Sequence, residues 1–429
     1  MKKYDLLPHQ VRCVEYGLKN PYFICAVSPG LGKSLISLDL ADRLKAKMLV
    51  VCPSYLILNW KREIQKFFGD TKQVSVVKNA KDVYPLWDTD ICLASYEFAN
   101  SYDPLFEWSD LVVFEEGHYL KNPKAKRTEA CHRLLYQYSN KRMIILTGTP
   151  IKNRVQEFYS LIALCNYNPR IKDPPFLKEF PEDISFAERY SFKSESRISI
   201  FSAKAKRMVE VPLIKFTGIQ NVEELKGWLK GIYIRVKDTD FMKTDGFRYK
   251  DFICGKDGDE ELYKSFLEFM EENQGIAPKL KVKSAMEKVP YTIKYVKDLL
   301  EEVNQVVIYS DHVEPCQKIA EAFGVVGITG SMSVDQRMKI ADQFFRKEIR
   351  VIVATIGSFS TGINNLVVAN NMVFNDPSWV VGDMEQAIKR IDRIGQTKKC
   401  IIHRVMGTVQ DEKIYEALEE KRKVIGRII

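Results

Sequence analysis

The chain is 429 residues long, with 45% hydrophobic residues, 28% charged residues and a formal net charge of +9. This length can build two or three packed domains, and the excess of positive charge suits a polyanionic partner such as nucleic acid. The nine cysteines form no Cys-x-x-Cys pair, which argues against a zinc site or a disulfide framework. We find neither a signal-peptide pattern nor an apolar stretch long enough to span a bilayer, and therefore expect an intracellular protein that contacts no membrane.

Short apolar runs alternate with helical patterns through the first third of the chain. The runs that predict strands are YFICAV (22–27), KMLVVC (47–52), DICLAS (90–95), LVVF (111–114) and RMIIL (142–146). Helical patterns such as ILNWKREIQKFF (57–68) lie between them, and Trp60 in this pattern is expected to pack in the core. Because apolar strands separated by helices form parallel sheets that are covered on both faces, this part predicts an α/β lobe.

The last third of the chain repeats this pattern. Its predicted strands are QVVIYS (305–310), VVGIT (325–329), IRVIVAT (349–355), NMVFN (371–375) and CIIHRV (400–405). Ser333 and Gln336 have capping-box spacing, which predicts the start of a helix between two of these strands. The fold class is therefore α/β, with two parallel-sheet lobes.

The central segment is helical and irregular. It contains the basic, aromatic stretch RYSFKSESRISIFSAKAKRMVEVPLIKF (189–216), in which alternating apolar residues predict a β-hairpin. Two interpretations of this stretch stay open, a hairpin that separates nucleic-acid strands and a solvated surface loop. We expect a first lobe over residues 1–165, a helical central segment over 166–290, and a second lobe with a C-terminal helix over 291–429.

The motif SPGLGKS (28–34) lies between a predicted strand and a predicted helix. Glycines allow backbone N–H groups to surround phosphate oxygens, and the start of the helix adds its positive end. In such a loop Lys33 reaches the outer phosphates and the Ser34 hydroxyl holds Mg²⁺. Val27 replaces the first glycine of the usual pattern, so an ordinary glycine turn is the alternative. The strand before the motif and the helix after it favour the phosphate loop.

Two carboxylates follow the apolar strand in LVVFEEGHYLKN (111–122). A nucleotide in a phosphate loop needs an acidic contact to Mg²⁺ and a base that orients water, and both come from the end of a neighbouring strand. We assign Glu115 to the metal ion and Glu116 to the water. An acidic turn after a buried strand is the alternative if the segment is considered alone.

Two further segments suit the chemistry of a nucleotide. LTGTP (146–150) ends a strand with hydroxyls and a glycine, which can sense what the carboxylates bind. QAIKRIDRIGQ (386–396) places Arg390 and Arg393 three residues apart, so we expect them on one face of a helix. Two such arginines can stabilise charge on a transferring phosphoryl group, and a solvated basic helix face is the alternative.

The order of these motifs resembles that of helicase superfamily two, and within it the Swi/Snf-type translocases of double-stranded DNA. The matching segments are LLPHQ (6–10), SPGLGKS, VVCPSYLILNWKREIQKF (50–67), ASYEF (94–98), FEEGHYLKN, LTGTP, VVIYSDH (306–312), ATIGSFSTGIN (354–364) and QAIKRIDRIGQ. Within this family, the sequence is most similar to the annealing and fork-remodelling members. The sequence departs from the family pattern at Glu115, where an aspartate is usual, and at Asp392, where histidine is common.

The resemblance implies two RecA-like lobes that bind ATP and Mg²⁺ between them. The implied cofactor-binding residues are Gln10 for adenine and Gly30, Leu31, Gly32, Lys33 and Ser34 for the phosphates, with Ser34 and Glu115 at the metal. The implied catalytic residues are Lys33, Glu115, Glu116, Gln386, Arg390 and Arg393, and His118, Thr147 and Thr149 couple hydrolysis to movement of the lobes. The implied contacts to the DNA backbone are Ser54, Lys61, Ser95, Tyr96, Gly330, Ser331 and Thr355. Apart from the resemblance, His9 and Gln10 would be interpreted as surface residues that open a helix.

The function implied is an ATP-dependent translocase or helicase on duplex, forked or junction DNA, in replication, recombination or repair. Such a protein works in the cytoplasm at the nucleoid, in a virus-infected host cell, or in the nucleus of a eukaryote. The alternatives are an RNA-directed helicase, an ATP-gated DNA clamp, and the motor subunit of a larger complex such as a restriction system with a protein partner.

Overall fold

The computed structural model describes residues 5–79, 82, 88–99, 103–138, 140–166, 175–202, 207–237, 247–254, 277–359, 366–393, 395–407 and 409–428. The chain divides into two compact units. The first unit comprises Met1–Lys193, Phe216–Phe241 and Val424–Ile429, and the second comprises Ser194–Lys215 and Met242–Lys423. The division of the chain into residues 1–165, 166–290 and 291–429 stays a prediction.

The first unit is built on a parallel sheet of seven strands. In chain order the strands are β1 (Tyr22–Val27), β2 (Met48–Cys52), β3 (Val74–Val77), β4 (Ile91–Ser95), β5 (Leu111–Glu115), β6 (Arg142–Thr147) and β9 (Tyr233–Val236), and their order in the sheet is β3-β4-β2-β5-β6-β1-β9. The central strands are buried along their whole length because helices cover both faces, which explains why their residues are apolar without alternation.

Helices of several lengths surround this sheet. They are α1 (Pro8–Lys19), α2 (Lys33–Leu44), Ile57–Phe68, Tyr96–Ala99, Pro104–Trp108, Lys126–Gln137, Tyr159–Asn166, Pro175–Glu179, Asp183–Tyr190 and Val222–Leu229. Trp60 is 1% exposed and packs in the core, as predicted. The same unit also buries Ile428 from the far end of the chain, with Val424 and Ile425 packed against its core.

The predicted hairpin is confirmed. Strands β7 (Phe192–Ser202) and β8 (Arg207–Thr217) form a two-stranded sheet. The side chain of Ser194 donates a hydrogen bond to the carbonyl of Lys215, and that of Ser196 to the carbonyl of Leu213. The basic stretch therefore contains a β-ribbon rather than an irregular loop.

The second unit is built on a parallel sheet of five strands. The strands are β10 (Phe247–Ile253), β11 (Val306–Ser310), β12 (Val351–Thr355), β13 (Asn371–Phe374) and β14 (Cys400–Met406), in the order β10-β14-β13-β11-β12. The helices are Ala277–Glu302, Val313–Ala322, Val334–Phe345, Ile356–Phe359, Val381–Ile388 and Val409–Ile428, the last of which ends in the first unit from Val424 onward. Two RecA-like α/β lobes are thus confirmed, as is the capping box that Ser333 and Gln336 form at the start of Val334–Phe345.

One predicted strand is wrong. Residues 325–329 make no strand and contribute only an isolated bridge between Ile328 and Ala354. Strands β3, β9 and β10 were not predicted, because they are short or alternate polar and apolar residues instead of forming apolar runs. Within the described residues, no helix is both long and apolar enough to cross a membrane.

Two buried polar contacts connect elements of the second unit. Lys288 Nζ lies 2.6 Å from Asp411 Oδ1, with both side chains at most 4% exposed. His403 lies between Tyr295, 2.7 Å from its Nδ1, and Asn371 Oδ1, 2.9 Å from its Nε2. Since Asn371 Oδ1 can only accept, Nε2 of His403 carries the proton and Nδ1 accepts from the Tyr295 hydroxyl. Burial lowers the pKa of His403 to about 4, with help from the positive charges of Lys250 and Arg248.

Candidate active site

The phosphate-loop motif connects β1 to α2 at the carboxyl edge of the first sheet. Gly32, directly before the helix, has φ +78° and ψ 43°, a left-handed conformation that residues with a Cβ rarely adopt. A Cβ at this position would also lie 2.4 Å from Nε2 of Gln10. The loop therefore requires glycine here both for its backbone and for its close contact with α1.

Helix α1 holds the phosphate loop through two side chains. Nε2 of His9 lies 3.0 Å from the carbonyl oxygen of Leu31, and Nε2 of Gln10 donates to the same oxygen at 3.1 Å. Oε1 of Gln10 accepts from the N–H of Leu7, which closes the start of the helix. His9 and Gln10 are only 2% and 4% exposed, so their interpretation as surface residues is wrong.

Lys33 is the first residue of α2 and turns back over the loop. Its Nζ donates to the carbonyl of Val27 at 3.3 Å. Its positive charge opposes the effect of burial on the pKa values of both Glu115 and Glu116. The lysine thus lies between the phosphate loop and the acidic pair, where a group with several negative charges would bind.

Glu115 and Glu116 differ in environment although they are adjacent. Glu115 is 6% exposed, and its Oε2 has no hydrogen-bond partner among the described residues. Burial raises the pKa of Glu115 to about 8, with a smaller contribution from Glu116. Burial also favours the neutral form of Glu116, but His118 and Lys33 outweigh it and hold the pKa of Glu116 at about 2. A further cation would stabilise the charged form of Glu115, whereas His118 and Lys33 already keep Glu116 ionised.

The backbone of Glu116 is in an unusual conformation. Its φ of 54° and ψ of 58° place a non-glycine residue in the left-handed region, directly after β5 ends. Such conformations are disfavoured by about 1 kcal/mol and concentrate at functional sites. The hydroxyl of the buried Tyr96 donates to the carbonyl of Glu115 at 2.9 Å and fixes the end of the strand just before this turn.

The LTGTP motif follows β6 and approaches the phosphate loop. A Cβ on Gly148 would lie 3.0 Å from Cγ of Pro29 and 3.6 Å from Nζ of Lys33. The Thr147 hydroxyl accepts from the N–H of Thr149 at 3.1 Å. The structure therefore brings together the phosphate loop, the acidic pair and the threonines at one edge of the first sheet.

These residues fit a magnesium–nucleotide complex. Within the described residues there is no group of three or more His, Cys, Asp or Glu side chains that could hold a metal by themselves. Mg²⁺ is usually held by one or two protein oxygens together with substrate phosphates, so such a cluster is not required. The uncompensated Oε2 of Glu115 and the half-buried Ser34 are the oxygens available for this role.

The arginine motif of the second unit differs from its prediction. The helix Val381–Ile388 ends before Arg390 and Arg393, which lie in successive turns, so their expected place on one helical face is wrong. Gln386 is in the helix and 7% exposed. Burial and the nearby charge of Arg390 lower the pKa of Arg393. The charge of Arg390 thus acts on Arg393 although no regular helix spaces the two residues.

Two side chains make specific contacts around these turns. The buried Asp392 pairs with Lys389, with 2.6 Å between Oδ2 and Nζ. Nε2 of Gln396 donates to the carbonyls of Val367, Ala369 and Ile391. Sequence reasoning assigned Gln396 no role, because its partners are backbone carbonyls.

The expected DNA-contact residues of the first unit differ in how exposed their side chains are. Ser54 and Lys61 are exposed, and Ser95 is half-buried at the end of β4. Tyr96 is 1% exposed, with its hydroxyl bonded to Glu115. Its side chain belongs to the core, and only its main chain is left as a predicted contact.

The expected residues of the second unit lie near one another. Arg337 connects their loops, since it donates to the carbonyl of Gly330 at 2.8 Å and to that of Ser358 at 2.9 Å. Gly330 and Ser331 are exposed. Thr355 is 6% exposed and donates from its hydroxyl to that of Ser358. Arg337 was not identified from the sequence, because its partners are backbone carbonyls.

Comparison with known families decides the assignment of the chain. Residues 9–243 match the SNF2-related domain, more than half of the chain, and residues 289–395 match the helicase conserved C-terminal domain. The chain belongs to the SNF2 family. The two matched regions contain the candidate residues of the first and second units, respectively, including the phosphate loop and the arginine motif.

Curated SNF2-family relatives align over nearly all of the chain. The human DNA annealing helicase and endonuclease ZRANB3 is 25% identical over 98% of this chain and 40% of its own length. The DNA repair and recombination protein RAD54-like of Drosophila erecta is 24% identical over 99% of this chain and 63% of its own. The chain thus spans about half the length of these relatives. The SWI2/SNF2 ATPase core of Sulfolobus solfataricus in complex with dsDNA aligns over 100% of this chain and 93% of its own, with 22% identity and a TM-score of 0.44, from which we draw no conclusion.

Proposed function

We propose that this SNF2-family protein is an ATP-dependent translocase that acts on duplex and branched DNA. The observation that carries the proposal is the meeting of Lys33, the Glu115–Glu116 pair and Gly148 at one sheet edge of an SNF2 chain. Phosphoryl transfer to water needs a loop that binds phosphates, a carboxylate for Mg²⁺ and a second carboxylate that orients water. The phosphate loop, Glu115 and Glu116 can supply these three groups.

The residues of the first unit divide the chemistry between them. When bound, Mg–ATP supplies the phosphoryl group whose transfer to water releases free energy. Gln10 recognises adenine, and the backbone of Gly30, Leu31 and Gly32 binds the phosphates with Lys33. Ser34 and Glu115 hold Mg²⁺, a role that suits a buried carboxyl group with an uncompensated oxygen. Glu116 stays ionised and orients the attacking water.

The second unit supplies positive charge. Gln386, Arg390 and Arg393 act on the transferring phosphoryl group in this proposal, and the family match over residues 289–395 supports it. The charge of Arg390 contributes to the lowered pKa of Arg393, so a bound anion would stabilise both guanidinium groups. His118, Thr147 and Thr149 couple hydrolysis to movement.

Two observations support DNA as the substrate, namely the names of the SNF2-family relatives and the positive net charge of the chain. The relatives include a DNA annealing helicase and proteins of DNA repair and recombination. Exposed Ser54, Lys61 and Ser331 would contact the DNA backbone, and the net charge of +9 favours a polyanion. The β7–β8 hairpin is the proposed wedge for branched DNA. The protein would work where DNA is, at a nucleoid, in an infected host cell or in a nucleus.

The test is the ATP hydrolysis rate with matched concentrations of duplex, single-stranded, forked and four-way-junction DNA, with RNA as the control. Stronger stimulation by branched DNA than by plain duplex is the expected result. Equal stimulation by any duplex would favour a motor that takes its specificity from a partner chain. Stimulation by RNA alone, or no hydrolysis at all, would contradict the proposal.

A further inference from the structure

Strand β9 joins the first sheet from the central segment of the chain. It pairs with β1, the strand that leads into the phosphate loop, with Arg235 opposite Ala26 and Val236 opposite Val27. One step further, the N–H of Ser28 donates to the carbonyl of Val236 at 3.0 Å. The first residue of the phosphate loop is therefore hydrogen-bonded to the end of β9.

The side chain of Arg235 reaches the LTGTP motif. Its Nη1 donates to the carbonyl of Gly148 at 3.3 Å, and the residue is half-buried. The backbone of Arg235 is fixed in turn, because Nη2 of Arg12 donates to its carbonyl at 2.8 Å. Charge-assisted hydrogen bonds of this kind are stronger than those between neutral groups.

The position of Gly148 affects the groups on both sides of it. It lies between Thr147 and Thr149, against Pro29 of the phosphate loop and near Lys33. A shift of its carbonyl would move both threonines relative to the phosphates. The guanidinium of Arg235 opposes that shift from the side of the sheet away from the acidic pair, since β1 and β9 lie beyond β6 in the strand order.

The chain between the hairpin and β9 is anchored to the first unit. Nε2 of Gln220 donates to the carbonyls of Glu188 and Ser191, and Nδ2 of Asn221 donates to that of Arg189. The following helix, Val222–Leu229, buries Leu225 and Leu229 in the core. The base of the hairpin is thus connected to Arg235 through short, packed elements.

We propose that Arg235 is a positioning residue that fixes the Gly148 carbonyl, and with it Thr147 and Thr149, against the phosphate loop. This inference rests on the proposed function. Loss of the guanidinium leaves the Ser28–Val236 bond and the contacts of His9 and Gln10 in place, so ATP binding is kept. The loosened threonines then transmit the presence of DNA poorly to hydrolysis.

The experiment compares Arg235→Met and Arg235→Lys with the matched control Arg133→Met. Arg133 is an exposed arginine of the same unit, paired with Asp103 on the surface, and such pairs contribute little stability. Two quantities are measured on the full chain. The first is amide hydrogen exchange over residues 146–150, and the second is the kcat and KM of ATP hydrolysis with and without duplex DNA.

We expect Arg235→Met to speed exchange over residues 146–150 and to lower the DNA-stimulated kcat, each by roughly tenfold, as loss of one charge-assisted hydrogen bond predicts. The KM for ATP should change by less than about threefold, and Arg235→Lys should lie between Arg235→Met and the wild type. If Arg235→Met and Arg133→Met show the same exchange rates over residues 146–150 and the same kcat, the inference is overturned. Faster exchange across the whole first sheet in Arg235→Met would also overturn it, because the effect would then not be confined to the Gly148 loop.

Two further outcomes are distinguishable. If the wild type shows no DNA-stimulated hydrolysis, the proposed function fails, while the exchange comparison still tests the contact of Arg235 with Gly148. If Arg235→Met does not fold, Arg235→Lys replaces it, because it keeps the charge but loses the planar guanidinium. Faster exchange over residues 146–150 in this variant then supports the inference, and wild-type exchange there contradicts it.

Discussion

The carboxylate of Glu116 lies 3.3 Å from the imidazole of His118, measured between Oε2 and Nδ1. The left-handed backbone of Glu116 turns the chain so that these two side chains meet directly after β5. This contact contributes to the low pKa of Glu116. The contact therefore connects Glu116, the proposed water-orienting carboxylate, to His118 in the turn that follows.

Replacing Glu116 with glutamine should lower ATP turnover by at least about 100-fold, the usual range for loss of a general base. ATP binding should persist because the phosphate loop is untouched, whereas Lys33→Ala should weaken binding as well. Binding of a fluorescent ATP analogue and the hydrolysis rate measure the two effects. Turnover retained in Glu116→Gln would remove Glu116 from the base assignment.

Shortening residues 197–214 should spare DNA-stimulated ATP hydrolysis and impair processing of four-way junctions. The hairpin is a separate two-stranded sheet, so its removal disturbs neither parallel sheet. Hydrolysis rates and junction-unwinding assays on the same preparation give the comparison. Loss of both activities together would show that the hairpin is structural.

Replacing Arg337 with methionine should raise the Kd for duplex DNA by roughly tenfold, since two carbonyls lose charge-assisted donors. The loops that carry Gly330 and Ser358 would then move independently. Fluorescence anisotropy with labelled duplex measures the affinity. The control is Arg346→Met, an exposed arginine of the same unit, and equal affinities of the two variants would contradict the role of Arg337.

Replacing Lys288 with methionine should destabilise the protein by about 3–5 kcal/mol, because the buried charge of Asp411 loses its cation. The double variant Lys288→Met/Asp411→Asn should recover more than half of that loss. Its asparagine oxygen still accepts from the N–H of Gly407, which donates to Asp411 in the native protein. Urea unfolding gives the free energies, and a loss below about 1 kcal/mol in the single variant would be inconsistent with the buried pair.

The buried His403 predicts a loss of stability in mild acid. Its pKa is about 4 in the folded protein, below the ordinary value of 6.5. Between these values the unfolded chain binds a proton that the folded chain does not. The free energy of unfolding therefore decreases as the pH falls from about 7 to about 4, by on the order of 3 kcal/mol in total.

Urea unfolding across this pH range tests the prediction against His403→Gln, whose side-chain amide can still donate to Asn371. Lys250, Arg248 and Tyr295 face the imidazole and stay unchanged in both proteins. The difference between the two pH profiles thus isolates His403. Identical slopes would mean that His403 does not titrate as its burial predicts.

Apolar strands were predictable from the sequence, and short or tertiary features were not. The run at 111–114 was predicted as a strand, and the structure extends it only to Glu115, since burial on both faces dictates its composition. Tyr233–Val236 has only four residues and acquires its role from pairing with β1. Residues 325–329 (VVGIT) are rich in β-branched residues, which predicts a strand, but in the structure they form only an isolated bridge between Ile328 and Ala354.

The candidate site shows the same contrast. Lys33, Glu115 and Glu116 were recognisable because their spacing follows the chemistry of a nucleotide. His9, Arg235 and Arg337 act through backbone carbonyls, and a carbonyl leaves no signal in the sequence. Arg390 and Arg393 have helical spacing, but the helix ends at Ile388 and turns follow it, which their spacing alone does not reveal.

The burial of Ile428 in the core of the first unit bears on the order of folding during synthesis. That core also contains Ile24 and Leu229, so its members are drawn from both ends and the middle of the chain. A ribosome-bound chain that has reached residue 165 leaves β1 without β9 at its edge, and an open strand edge invites pairing with other chains. The first unit to emerge is therefore completed only after residues 424–428 have been synthesised, and these follow the second unit in the chain.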